Sequence, residues 1–422
     1  MAIMGKPRAR RTGGREGAAG VVDGGLPYRP GEAEVAPPDD PAASAASDLV
    51  PPIAETGEKA ESVYVASQWR LMWWKFRKHR LAVIGAIVTI AIYLVAIFAE
   101  VLAPTTSDAY SATYTYAPPQ RVHFIDRSDG GFSIGPYVHG YKVEIDQEAL
   151  RRTFVIDESV KIPLRLFAAG EPYKLWGLIS MDRHLIGPKD AGEPMYVLGA
   201  DRLGRDVLSR IIYGTRISMS IGLVGVALSF ILGILIGGMS GYYGGSIDTA
   251  IQRLIEFLLS IPTIPLWLAL AAIVPATWSG LRVYFAITVI LSLIGWTSLA
   301  RVVRGRFLAM REEDFVTAAR LDGSGELRII GRHMVPSFLS HIIASLTLSI
   351  PATILAETAL SFLGLGLRPP LVSWGVLLEE AQNVRTVATA PWLLLPGVAV
   401  VIAVLALNFM GDGLRDAADP YT

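Results

Sequence analysis

The sequence predicts an all-α polytopic membrane protein of six transmembrane helices, with a small β-rich extracytoplasmic insertion between helices 1 and 2. Three observations predict it. Of 422 residues, 52% are hydrophobic and 18% charged, with a mean hydropathy of +0.42. Soluble domains carry about 25% charged residues. Six apolar runs each approach the ~20 residues that a helix needs to cross a bilayer. Between the first two runs lies a stretch of aromatic and β-branched segments broken by Gly and Pro, the pattern of short strands.

Residues 1–62 are rich in Ala, Gly, Pro and acidic groups and lack a helical stripe, which predicts a disordered cytoplasmic tail. Residues 5–15 are basic like the start of a signal peptide, but no apolar h-region follows. Residues 63–104 hold an interfacial segment and the first span. "WRLMWWKFRKHR" (69–80) mixes aromatics with Arg and Lys as a cytoplasmic interfacial anchor does.

The apolar runs cover about 81–103, 217–240, 254–275, 283–303, 337–357 and 391–411. Pro265 and Pro351 fall inside the third and fifth and predict kinks there. Gly233, Gly237 and Gly241 recur every four residues in the second, as close helix packing requires. Arg70, Lys75, Arg77, Lys78 and Arg80 before the first run place the N-terminus in the cytoplasm. Six crossings return the C-terminus there. The Arg-rich loop 304–336 then falls on the cytoplasmic side.

Residues 105–197 fall outside and are too long for a connector. Their β-like part, 107–196, has Phe124, Phe132, Tyr137, Tyr141 and Phe154 as a candidate core. A cap over the outer mouth that helps to dock a binding protein is the role its position suggests. After it, Val207, Leu208, Ile211 and Ile212 share a helical face, which predicts a short surface helix capped by Asp201.

Chemistry-bearing motifs are scarce. Zero cysteines exclude disulfides, thiolate metal sites and a cysteine nucleophile. Zero net charge gives no global pull toward nucleic acid. There is no G-x-x-x-x-G-K-[ST], H-E-x-x-H or G-x-S-x-G. No catalytic or metal-binding residue is assigned. His123, His139 and His184 have no metal-ligand spacing and read as structural. Glu100, Glu256 and Glu357 lie near predicted helix ends and read as solvated termini.

"DFVTAARLDGSGELRIIGRHMVP" (314–336) is the unusual stretch, because it is polar between two apolar runs. A helix over Glu312–Leu321 would put Phe315, Ala318 and Ala319 on one face, with Gly323 ending it. Two alanines beside an aromatic make a face that another protein's groove can receive. A second helix is expected from Gly325 to about Met334, and Pro336 marks the next span.

The stretch resembles the E-A-A-x-x-x-G…I-x-L-P signature of inner-membrane permeases of ATP-binding-cassette importers. Here it reads Thr317-Ala318-Ala319, Gly323 and His333-Met334-Val335-Pro336, with the spacing kept and Thr in place of Glu. "LGADRLGRDVLSRIIYGTRISMSIGL", "GYYGGSIDTAIQRLIEFLLSIP", "ETALSFLGLGLRPPLVSWG" and "NFMGDGLRDAADP" resemble the C-type permease of dipeptide and oligopeptide importers. The resemblance covers about 198–420 and the first span.

It implies the type I permease fold over 198–422, with 304–336 as the coupling loop. It also implies half of a heterodimeric pore for di- or oligopeptides, or for oligosaccharides. The implied partners are a B-type permease, two ABC ATPase subunits and an extracytoplasmic substrate-binding protein, in a bacterial inner membrane. ATP and Mg belong to the ATPases; no cofactor is expected in this chain, and it is not an enzyme. The resemblance implies that Phe315, Thr317, Ala318, Ala319, Asp322, Gly323, Leu327 and Pro336 form the ATPase-coupling site. An ion-coupled secondary transporter would need an ion path, and the apolar runs carry almost no ionisable group. A membrane sensor would not need the alanine face.

Overall fold

The computed structural model describes residues 68–126, 133–146, 151–190 and 192–418. The expected tail over 1–62 lies outside the described residues.

The helices form a bundle with a β-sheet inserted near its start. Helix α1 (Gln68–Lys78) packs its Met72 and Phe76 with Ala82 and Ala417. Helix α2 (Arg80–Ile97) follows, capped by His79, whose ring accepts the Ala82 N–H. It stops at Phe98, and a short turn, α3 (Ala99–Leu102), ends the first run. Four strands form one antiparallel meander in the order β1-β2-β3-β4: His123–Asp126, Ser133–Asp146, Arg151–Leu175 and Ile179–Pro188. The expected β character is present. Its core differs from the expected one: Val138, Ile162, Leu164 and Met195 fill one cluster. Tyr141 and Phe154 pack with Tyr114 and Tyr196 in another. Phe124 is exposed, and Phe132 lies outside the described residues.

Helix α4 (Val207–Tyr243) is continuous over 37 residues. The expected surface helix is therefore the first turns of the second span. Its cap is Asp206, which accepts the Ser209 N–H at 2.7 Å. Asp201 instead ties the preceding loop, accepting from the Leu203 and Arg205 N–H groups and pairing with Arg205 and Arg210.

The third run is broken into α5 (Gly245–Ser260) and α6 (Thr263–Ala272), which meet at 85°. The break is not at Pro265, which α6 accommodates in its first turn. It lies at Ile261, held extended (φ −88°, ψ 129°) by Pro262 after it. Helix α7 (Gly280–Met310) is the fourth span. Helix α11 (Leu339–Phe362) runs unbroken through Pro351. It is preceded by α8 (Asp314–Leu321), α9 (Glu326–Arg328), a π-helical stretch (Ile329–Met334) and α10 (Val335–Ser337). Short helices α12 (Trp374–Glu379) and α13 (Val384–Thr389) precede α14 (Leu395–Ala418).

The glycines set the packing. A Cβ at Gly233 would meet Leu299, one at Gly237 would meet the Ala300 backbone, and one at Gly241 would meet Phe307 and Arg304. The numbers rise together, so α4 and α7 run parallel in close contact. Gly222 against Ile354, with Tyr242 beside Ile342, makes α11 antiparallel to α4. Gly85 against Ala406 and Gly413 against Ala82 make α2 and α14 antiparallel.

Two of the three glutamates expected at solvated helix ends are buried. Glu100 is clamped by Arg216 through both carboxylate oxygens. Glu357 is fully buried, and its Oε1 accepts from the Ser361 and Ser373 hydroxyls at 2.8 and 2.7 Å. Glu256 is exposed beside Arg253. Of the histidines, His184 is buried with its ring nitrogens facing the Ala103 and Glu171 carbonyls. His123 stacks on Tyr137, and His139 meets both rings edge-on.

Candidate functional site

The polar stretch after α7 folds back onto the end of the bundle. Helix α8 begins at Asp314 with Glu313 as N-cap. It ends in a Schellman motif: the Ser324 N–H reaches the Ala319 carbonyl and the Gly323 N–H reaches Arg320. Gly323 has φ +73°, a conformation that a β-branched residue resists. Two of its residues, Val316 and Ala319, are buried with Phe307, Met310, Ile329 and Met334. The Arg320 guanidinium lies 5.1 Å over the Tyr242 ring, and the Tyr243 hydroxyl donates to Glu326 at 2.6 Å. One turn deeper, Arg304 pairs in bidentate fashion with Asp248, which also accepts from Ser240. The loop is thus packed against α4, α7 and α11 together, while the Arg304–Asp248 pair ties α7 to α5.

The face that remains is apolar and exposed. Phe315 is 37% exposed, Leu321 84% and Leu327 80%, with Ala318 exposed among them. This corrects the expected grouping. Ala319 packs inward, so the outward face is Phe315 and Ala318 without it. A one-residue step decides this, because successive helix positions differ by about 100°. Thr317 and Asp322 are exposed beside this face. Pro336 is exposed in α10, and the next helix starts after Phe338, two residues later than Pro336 suggested. The expected second helix over 325–334 is present, and it continues to Ser337 through the π stretch.

A second feature lies within the bundle. Ser229 on α4, Ser298 on α7 and Ser349 and Thr353 on α11 line a cavity of about 140 Å³, together with apolar residues. Hydroxyls that converge from three helices at membrane depth make a polar surface without charge. No sequence motif marks them, because isolated serines in apolar runs look the same on every face.

The family of binding-protein-dependent transport system inner membrane components matches residues 233–422. The N-terminal TM domain of oligopeptide transport permease C matches residues 67–119. The dipeptide transport system permease protein DppC of Haemophilus influenzae is 39% identical over 232 residues, 55% of this chain and 76% of that one. The chain belongs to this permease family. DppC of Bacillus subtilis is 38% identical, covering 53% of this chain and 68% of that one. The glutathione transport system permease protein GsiD of Pectobacterium atrosepticum is 36% identical, covering 59% and 79%. The protein is therefore an integral inner-membrane permease subunit of an ABC importer. Membership implies ATPase and further permease subunits as partners. The first family match covers α8 and the α7 and α11 walls of the hydroxyl-lined cavity but not Ser229, and neither family model reaches residues 120–232.

Proposed function

We propose that the permease forms half of a translocation path for di- or oligopeptides, and that α8 is the lever through which cytoplasmic ATPases drive it. The observation that carries the lever is the exposed face of Phe315, Ala318, Leu321 and Leu327 on a loop whose opposite face is fixed to three helices. A push on that face moves α4, α7 and α11 as one body. The partners in this reading are a B-type permease, two ABC ATPases that bind ATP and Mg, and an extracytoplasmic substrate-binding protein. ATP-driven closure of the ATPases shifts the permease between inward and outward states. The hydroxyl-lined cavity supplies part of the path, suited to a backbone rich in N–H and C=O groups. The peptide assignment draws on the names of the relatives, which are dipeptide and glutathione permeases.

Six crossings support this topology. Because α4 and α7 are parallel, the chain must return across the bilayer between them, and the bent pair α5–α6 is the segment available. Both termini and α8 are then cytoplasmic, as the basic residues at 70–80 and 301–332 favour. The insertion is then extracytoplasmic.

The test is Ala318→Arg against Ala319→Arg in an uptake assay with membrane abundance measured. Ala318→Arg is expected to insert at normal abundance and to lose uptake by at least about tenfold, a coupling loss on the order of 1.4 kcal/mol. Ala319→Arg forces a charge into a packed cluster and is expected to lower abundance itself. Normal uptake in Ala318→Arg at normal abundance would remove the coupling assignment.

A further inference from the structure

A cavity of about 380 Å³ lies between the inserted sheet and the segments that lead into α4. Ligand pockets begin at about 300 Å³. Its walls include Tyr110, Tyr114 and Tyr196, and the carboxylate residues Glu171, Glu193 and Asp206. No Lys or Arg is among the described residues that line it. The Tyr114 and Tyr196 rings lie 5.6 Å apart, tilted by 49° to each other.

Two of the acids are incompletely satisfied. Asp206 is 3% exposed; its Oδ2 caps α4 through Ser209, but its Oδ1 has no partner at hydrogen-bonding geometry. The buried Oε2 of Glu193 has none either. A buried carboxylate oxygen without a donor is costly, and a site that keeps one has a reason for it. Arg205 and Arg210 are near in sequence, yet both are committed to Asp201. Burial, partly offset by the Ser209 hydroxyl and the Ser209 and Leu208 N–H groups, pushes the Asp206 carboxyl up to about 6. The Asp206 charge in turn helps to push the Tyr196 and Tyr141 phenols up, after burial.

We propose that this cavity binds an organic primary ammonium group, such as the free N-terminus of a short peptide, between the carboxylates of Asp206 and Glu193 and beside Tyr114 and Tyr196. The three acids face no Lys or Arg, and the one histidine in the wall, His184, has its ring nitrogens on the Ala103 and Glu171 carbonyls rather than on an acid, which favours a cation. Tyrosine faces attract ammonium groups, and an N⁺–H donor supplies what Oδ1 and Oε2 lack. Among the described residues no group of three or more His, Asp or Glu is placed to hold a metal ion. The peptide as source of the ammonium rests on the importer reading; the ammonium chemistry does not.

The test is calorimetric titration of the full-length chain, assembled with its permease and ATPase partners in lipid nanodiscs, with the binding protein omitted. The probes are alanyl-alanine, N-acetyl-alanyl-alanine, cadaverine and calcium chloride. Binding of either amine is expected, with no binding of the acetylated peptide. Asp206→Asn keeps an oxygen for the helix cap and is expected to weaken binding on the order of tenfold. Glu193→Gln, away from the cap, is expected to weaken it separately, so misfolding of one variant does not decide the matter. Alanyl-alanine binding would assign the source as a peptide N-terminus, and cadaverine binding without it a free amine; both support the site. Absence of binding by both amines, equal affinity in both variants, or equal binding of the acetylated peptide overturns it. Calcium binding that depends on Asp206 while the amines fail to bind also overturns it, in favour of a metal site. Failed peptide uptake by the intact transporter with amine binding retained would count against the importer reading and leave the site standing.

Discussion

Asp206 shows how much one side chain can be asked to do. As the N-cap of α4 it must accept the Ser209 N–H, and this favours an oxygen at that place. As a fully buried acid it resists ionisation, and its carboxyl is pushed up to about 6 from 3.8. The sign follows from linkage: a carboxyl raised in the folded state favours folding below its unfolded value and loses that contribution as pH rises through about 6. Relative to Asp206→Asn, wild-type protein in detergent should therefore lose stability between about pH 4 and pH 7, on the order of 3 kcal/mol at most. Thermal unfolding of both proteins across that range checks it. A difference in melting temperature that does not change with pH would show that the carboxyl titrates normally. The outward and inward alanines of α8 belong to the same scale. Thr317-Ala318-Ala319 was readable as a small-residue motif, but which alanine meets a partner was not. That depended on Val316 and Ala319 finding Phe307 and Met334, residues that no local pattern connects to them.

At the scale of elements, the seam between α4 and α7 is held by glycines that leave no room for a side chain. A Cβ on Gly237 would overlap the Ala300 backbone, so Gly237→Leu must push two helices apart. Overpacking of this kind costs about 1–3 kcal/mol, and more than one contact along the seam is lost with it. The variant should show a lowered melting temperature and reduced recovery as a monodisperse complex by size exclusion. Gly305 on α7 has no neighbour within 4 Å of an added Cβ. Gly305→Ala should raise stability by up to about 1 kcal/mol. Equal behaviour of the two variants would deny the close approach. The four-residue spacing of Gly233, Gly237 and Gly241 was legible in the sequence because it is a local repeat. The break in the third run was partly legible. Two prolines stood near it, and Pro262 rather than Pro265 decides it, since the residue before a proline leaves the helical region while a proline in a first turn is tolerated. The unbroken α4 was not legible, because its first turns carry Arg210 and Arg216 and so lie outside the apolar run. Each finds a buried carboxylate partner, Asp201 and Glu100 respectively.

At the scale of the whole molecule, contacts between distant segments build the two ends of the bundle. At one end the inserted sheet and its flanks meet the loop after α11: Arg202 N–H donates to Glu380, 178 residues away, and the Trp392 indole donates to the Ala200 carbonyl. At the other, α8 and the π stretch lie over Tyr242, Phe307 and Met310. Composition and six apolar runs were enough to read a polytopic helical protein, and four family motifs enough to read its class. The pairing of segments more than a hundred residues apart was beyond both, since an ion pair such as Arg216 with Glu100 leaves no mark until the fold brings its halves together. The central claim is that the outward face of α8 is where ATPases grip this permease. The chain has no native cysteine, so a single Ala318→Cys can carry a benzophenone-maleimide label in the assembled transporter. Photolysis should join the permease to an ATPase subunit with high yield, and a label at Ser159 in the inserted sheet should not. Cross-linking from Ala318 to lipid or to the partner permease, with the ATPases present and no ATPase adduct, would contradict the account.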